Sequence, residues 1–150
     1  MDSRDEACDE LSSCCGAGPS ACVFTKAVLA RSAVCELSQR QAVGERDLVT
    51  CPSPVAQTNC RTLAALLRER ATFALKLPRS PHPMVHAKAL QLQCGGVHAL
   101  QQALQAEQPD VHRLVGLAHE RWGSLLDAPW ADIVTHVAAW QPRRRHRAAP

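Results

Sequence analysis

Ser53-Pro-Val-Ala-Gln-Thr-Asn-Cys60-Arg-Thr-Leu63-Ala64-Ala-Leu-Leu67-Arg-Glu-Arg-Ala71-Thr-Phe-Ala74 is the stretch that decides the fold. Its residues Cys60, Leu63, Ala64, Leu67, Ala71 and Ala74 fall on one stripe at helical spacing, so a helix is expected from Pro54 to Pro78. Ser53 supplies an N-cap hydroxyl, and proline is tolerated in a first turn, where its missing N–H is not needed.

Working outward, the same period recurs. Upstream, Phe24, Val28 and Cys35 form a stripe with Ala27, Ala30, Val34 and Leu37 beside it. That predicts a first helix over 21–41, stopped by Gly44. Arg46-Asp-Leu-Val-Thr reads as a short extended piece or a connection, and Cys51-Pro-Ser-Pro as a turn. Downstream, a loop over 79–83 leads to a helix over 83–105, weakened at Gly95-Gly96. A fourth helix follows Pro109 with Asp110 as its cap. Its apolar face is Val111, Leu114, Val115, Ala118, Trp122 and Leu125. A fifth runs from Pro129 to Trp140, with Trp130, Ile133, Val134 and Val137 inward, and Pro142 ends it. The expected fold class is therefore all-α, an irregular bundle of about five helices.

Composition agrees with close-packed helices. Aromatic residues make up only 3% of the chain and tyrosine is absent, whereas β-structure is enriched in aromatic and β-branched residues. A chain of 150 residues fits one ordinary domain. The single helical domain is expected over 21–141. Residues 1–20 read as a disordered Cys-, Gly- and Ser-containing tail and 142–150 as a basic tail. Arginine outnumbers lysine and alanine is abundant, as expected of a GC-rich bacterial gene.

The net charge is +3, and part of it lies in Arg143-Arg-Arg-His-Arg. That is too mild for a dedicated nucleic-acid binder, which carries a strong basic face. No positive n-region followed by an apolar run opens the chain, and no stretch is apolar for long enough to span a bilayer. The expectation is a cytoplasmic protein without membrane insertion, in a compartment where thiols stay reduced.

Eight cysteines are many for such a compartment and point to metal or redox chemistry before disulfides. Cys8, Cys14, Cys15 and Cys22 lie in or beside the tail; Cys35, Cys51, Cys60 and Cys94 lie in the domain. No C-x-x-C occurs, so only the fold can assemble a centre. On a straight first helix, Cys22 and Cys35 would be about 20 Å apart, at about 1.5 Å per residue. They would also point about 140° apart, at about 100° per residue. Cys35, Cys51, Cys60 and Cys94 are therefore the expected cofactor and metal ligands. Cys22 is a substitute that joins only if the helix starts later and the chain folds back.

Cys51 precedes a helix N-terminus, which favours a thiolate. Gly95-Gly96 after Cys94 would let backbone approach a bulky centre. A domain large enough to fold alone has no need of a structural zinc. Cys₄ ligation in apolar helical surroundings suits an iron–sulfur cluster, expected to be [4Fe–4S], with electron transfer or redox sensing as its role and a redox partner protein as its counterpart. The expected role is that of a carrier or sensor rather than of an enzyme by itself. Two alternatives stay open: a zinc site, or a metal-free helical interaction module in which the cysteines pack as small hydrophobes.

Other signals weigh less. His82 and His86 are separated by a predicted helix start. His112 and His119 read as surface histidines on one helix, and Arg68-Glu69-Arg70 as a solvated face. Gly16-Ala-Gly-Pro-Ser lacks the lysine and preceding strand of a phosphate loop. Exposed Cys14-Cys15 could act as a thiol-redox pair, but no neighbouring base or cation activates them.

Overall fold

The computed structural model describes residues 20–79 and 82–142. The readings of the N-terminal tail, with Cys8, Cys14 and Cys15, and of the arginine-rich end lie outside the described residues. In chain order the elements are β1 (Ser20–Ala21), α1 (Thr25–Leu29), β2 (Gln39–Val43), β3 (Arg46–Cys51), α2 (Pro54–Leu75), α3 (His86–Ala103), α4 (Val111–Trp122), a 3₁₀ turn (Leu125–Asp127) and α5 (Trp130–Ala139).

The later helices start where the local chemistry puts them. The Ser53 hydroxyl accepts from the Ala56 N–H at 3.2 Å, with Pro54 in the first turn. Asp110 Oδ1 accepts from the Arg113 N–H at 3.2 Å and caps α4. Each side chain satisfies one of the backbone donors that a helix start leaves unpaired. Leu63 and Leu67 of α2, Val97 and Leu100 of α3, Leu114 of α4, and Ile133 and Val137 of α5 are the fully buried heart of the core. Ala74, expected on the buried stripe of α2, is exposed, and Leu66 and Leu75 are buried instead.

Gly95-Gly96 does not interrupt α3, which runs unbroken through both. A Cβ on Gly96 would sit 2.6 Å from Leu67 Cδ1, and one on Gly95 would sit 3.1 Å from Val137 Cα. The pair lets α3 close onto α2 and α5 at once.

The all-α expectation is wrong at the N-terminal end, because a three-stranded antiparallel sheet of order β1-β3-β2 stands there beside the five helices. The helix expected over 21–41 is only the five-residue α1. Its end is a Schellman motif without glycine: Arg31 takes φ 61°, Arg31 N–H donates to Val28 O, and Ser32 N–H donates to Ala27 O. The same bond pattern, with Lys76 and Gln105 in the left-handed position, closes α2 and α3.

Beyond α1 the chain turns back. Gln39–Val43 becomes a strand because it can pair with Arg46–Cys51, in the register Gln39 to Thr50 through Val43 to Arg46. Gly44, at φ 64°, takes the first position of the two-residue turn, where a type II′ hairpin places glycine. On β3, Val49 and Cys51 alternate inward, while all of β2 is exposed. No helix among the described residues is long and apolar enough to cross a membrane.

Candidate metal centre

Four of the domain's cysteines come together, from four separate places. Cys22 lies in the link between β1 and α1, where its backbone N–H bonds Val49 O at 2.9 Å. Cys35 lies in the return loop after α1. Cys51 ends β3. Cys60 lies near the second turn of α2. All four line one cavity of about 20 Å³, together with Phe24, Gln57 and His112.

Cys35 is held by the start of α4. Val34 N–H donates to Pro109 O at 3.0 Å, and Val111 N–H donates back to Val34 O at 2.9 Å. Asp110, already the cap of α4, uses its second oxygen to accept the Glu36 N–H at 3.2 Å. One buried carboxylate thus ties the helix start to the loop that carries the thiol. On the opposite wall, buried Gln57 donates to Ala21 O at 2.6 Å and so holds the strand leading to Cys22.

The electrostatics of the four thiols are coupled. Burial pushes the Cys22 thiol up, and the Cys35 and Cys51 sulfurs add to it, against the opposing influence of the Phe24 N–H and the Thr25 hydroxyl. Burial also pushes Cys35 up, and nearby Asp110 pushes the same way. The backbone N–H groups of Leu37, His112 and Ser38 lie close enough to its sulfur to favour the thiolate. Cys60 is pushed up to about 12, by burial first and then by the Cys35, Cys22 and Cys51 charges. The Cys51 S–H donates to Ser53 O at 3.7 Å. Without a counter-charge, Cys22, Cys35 and Cys60 resist becoming thiolates together, because like charges in a buried site oppose one another's ionisation. A bound cation removes that conflict by deprotonating the thiols it coordinates.

Of the ligands expected from sequence, Cys35, Cys51 and Cys60 meet here and Cys94 does not. Cys94 is fully buried in α3 within the helical core, where Ser32 is its polar neighbour. Cys22, kept only as a substitute, stands in its place. The condition under which it could join is met, since α1 starts at Thr25 and the chain folds back at Arg31.

His112, expected to be a surface histidine, is half-exposed in the structure. It lines the cavity, and its ring lies 3.8 Å from Glu36. His86 instead meets Lys26, at 3.0 Å. All five described cysteines are free thiols. Among the described residues, no group of three His, Cys, Asp or Glu side chains is arranged so that it could hold a metal ion. No family model, curated protein or solved structure matches the chain.

Proposed function

We propose that Cys22, Cys35, Cys51 and Cys60 ligate a metal centre, an iron–sulfur cluster of the [4Fe–4S] type, and that the protein is a cytoplasmic electron carrier or redox sensor working with a partner protein. The observation that carries this reading is the convergence of four cysteines, from four separate segments of residues 22–60, on one cavity. Cysteines that pack as small hydrophobes need only apolar neighbours, whereas these four also neighbour one another.

Two features favour a cluster. Backbone N–H groups approach the sulfurs of Cys22 and Cys35, and hydrogen bonds to sulfur tune cluster potentials. The helical core is extensive without the centre, whereas structural zinc typically serves domains that need it to fold. Ligation requires the thiols to turn toward a common point among their staggered χ1 wells, and a cluster requires the 31–38 loop to yield.

The size of the cavity favours a second reading. About 20 Å³ is room for one water-sized sphere, which suits a single tetrahedral zinc better than a cluster.

The test is anaerobic purification with an absorption spectrum and iron, sulfide and zinc analysis, on the native chain and on Cys22→Ser, Cys60→Ser and Cys94→Ser. The expected result is a brown native protein with stoichiometric iron and sulfide, bleached in the first two variants and coloured in the third. Stoichiometric zinc without colour selects the second reading. A native protein that takes up neither metal, even after reconstitution, overturns both.

A further inference from the structure

A second concavity, far larger, lies between α2 and α3, with a volume of about 730 Å³. That is within the range of small-molecule sites. Its floor is apolar: Phe24, Leu67, Leu92 and Met84. Phe24 is also a wall of the cysteine cavity, so the two sites share a side chain.

The polar groups on the groove divide by what they already bond. Gln93 is committed at both ends, accepting from the Ala27 N–H at 3.1 Å and donating to Val23 O at 3.3 Å. The Thr72 hydroxyl donates to Arg68 O. Arg68 uses Nη2 to hold Pro78 O at 3.2 Å, and His82 O as well. Its Nε, however, is buried without a hydrogen-bond partner.

A buried, unpaired guanidinium donor is costly. Among the described residues no carboxylate forms an ion pair with Arg68 or with Arg79, which also lines the groove; the one ion pair there joins His112 and Glu36. Among the described residues Glu69 is the only carboxylate lining the groove, so two cations outnumber one anion there. Apolar walls beside two guanidinium groups that no described carboxylate pairs are complementary to a molecule with an apolar body and one anionic end; the Arg68 Nε is shielded from water, so an anion meets it only when that side chain turns toward the groove.

We propose that the groove between α2 and α3 binds a small amphiphilic anion, an apolar body carrying a carboxylate or a phosphate, with Arg68 and Arg79 receiving the anionic end and Phe24, Leu67, Leu92 and Met84 the apolar body. Met84 suits such a floor because its flexible side chain adapts to irregular shapes. This inference does not depend on which metal, if any, the cysteines hold.

The experiment is calorimetric titration of the full chain, as purified, with decanoate, decyl phosphate, decanol and inorganic phosphate. Decanoate or decyl phosphate binds saturably at one site, decanol at least about tenfold more weakly, as a charge-assisted hydrogen bond implies. Inorganic phosphate alone gives no saturable heat. Tighter binding of decanoate identifies the source as a carboxylic acid, and tighter binding of decyl phosphate identifies a phosphorylated amphiphile.

Arg68→Met should lower the affinity for the better anion about tenfold, to that of decanol. Because Arg68 also ties the Pro78 and His82 carbonyls, a second variant, Ala64→Phe, fills the groove and leaves both arginines in place. It should abolish binding while the helical circular dichroism is retained. Decanol binding as tightly as the anions, no binding by the native chain, or native-like binding by both variants would each overturn the proposal.

Discussion

Asp110→Ala should loosen the cysteine site from a residue that is not itself a cysteine. Asp110 is 8% exposed and accepts two backbone bonds, from Arg113 on α4 and from Glu36 on the Cys35 loop, each at 3.2 Å. Losing the N-cap costs about 1 kcal/mol. Leaving the Glu36 N–H without its charged acceptor adds about 1–3 kcal/mol. The two backbone bonds of Val34 with Pro109 and Val111 remain, so the loop is weakened and not released. The total is roughly 2–4 kcal/mol, read by urea denaturation of the metal-free protein at pH 7 as a lower midpoint with an unchanged slope. Asp110→Asn keeps one acceptor and should cost about half as much. Removal of the carboxylate also takes away one of the influences that hold Cys35 protonated, so Cys35 should alkylate faster in both variants. An Asp110→Ala protein within about 0.5 kcal/mol of native stability, with unchanged Cys35 alkylation, would refute the claim that this carboxylate staples the loop to the helix.

Raised thiol pKa values make metal-free stability depend on alkaline pH. The folded Cys60 stays protonated from its ordinary 9.0 up to about 12, while the unfolded chain ionises first, so stability is full below 9, falls as pH rises above it, and falls less steeply in Cys60→Ala; denaturation midpoints across that range check it. Gly95→Ala would place a Cβ 3.0 Å from Trp140 Cβ and 3.1 Å from Val137 Cα. The helix-propensity gain of about 1 kcal/mol is outweighed by overpacking against backbone of about 1–3 kcal/mol, and thermal denaturation should show a net loss. Gly116→Ala, on the exposed face of α4 with nothing within 4 Å of the new methyl, should stabilise by about 0.5–1 kcal/mol in the same assay. Loading the cysteine centre should slow amide hydrogen exchange across 20–51 far more than in α3 and α5, since three of the four ligands sit in that segment; uniform slowing of the whole chain would contradict this.

The helices from Ser53 onward were legible because their signals are local. A capping hydroxyl or carboxylate, a proline in a first turn and an apolar stripe all lie within a few residues of the structure they specify. The N-terminal part was not legible, for two physical reasons. Arg31 ends α1 in a left-handed conformation that glycine usually marks, so nothing in the sequence announced the stop. And Gln39–Val43 is a strand only because β3 is beside it, a pairing that no window of sequence contains. The same two features decide where the cysteines fall. A continuous helix over 21–41 would hold Cys22 away from Cys35 and leave it a substitute ligand, whereas the early stop of α1 lets the two meet; the close approach that Gly95-Gly96 permits is to α2 and α5.

The place of the site in the fold bears on what it can do. Only Cys60 rides on a long helix. Cys22, Cys35 and Cys51 sit on a two-residue strand's exit, an irregular loop and a strand end, the segment that supplies few of the core's large side chains. Metal binding couples to folding when the ligands lie on elements that are weakly held without it. Here the helical core is laid down by its own apolar faces, and the thiols are brought to it by hydrogen bonds from the Asp110 and Gln57 side chains and the Val49 carbonyl. A centre bound at this junction would therefore fasten the small sheet to the helices. Its loss or oxidation would loosen the sheet and the Cys35 loop, which keep their hydrogen bonds to the core, while leaving the core standing. A segment whose order depends on a redox-labile ligand is what a sensor requires, whereas a pure electron carrier gains most from a rigid site. The arrangement accordingly favours sensing over carriage within the proposed function.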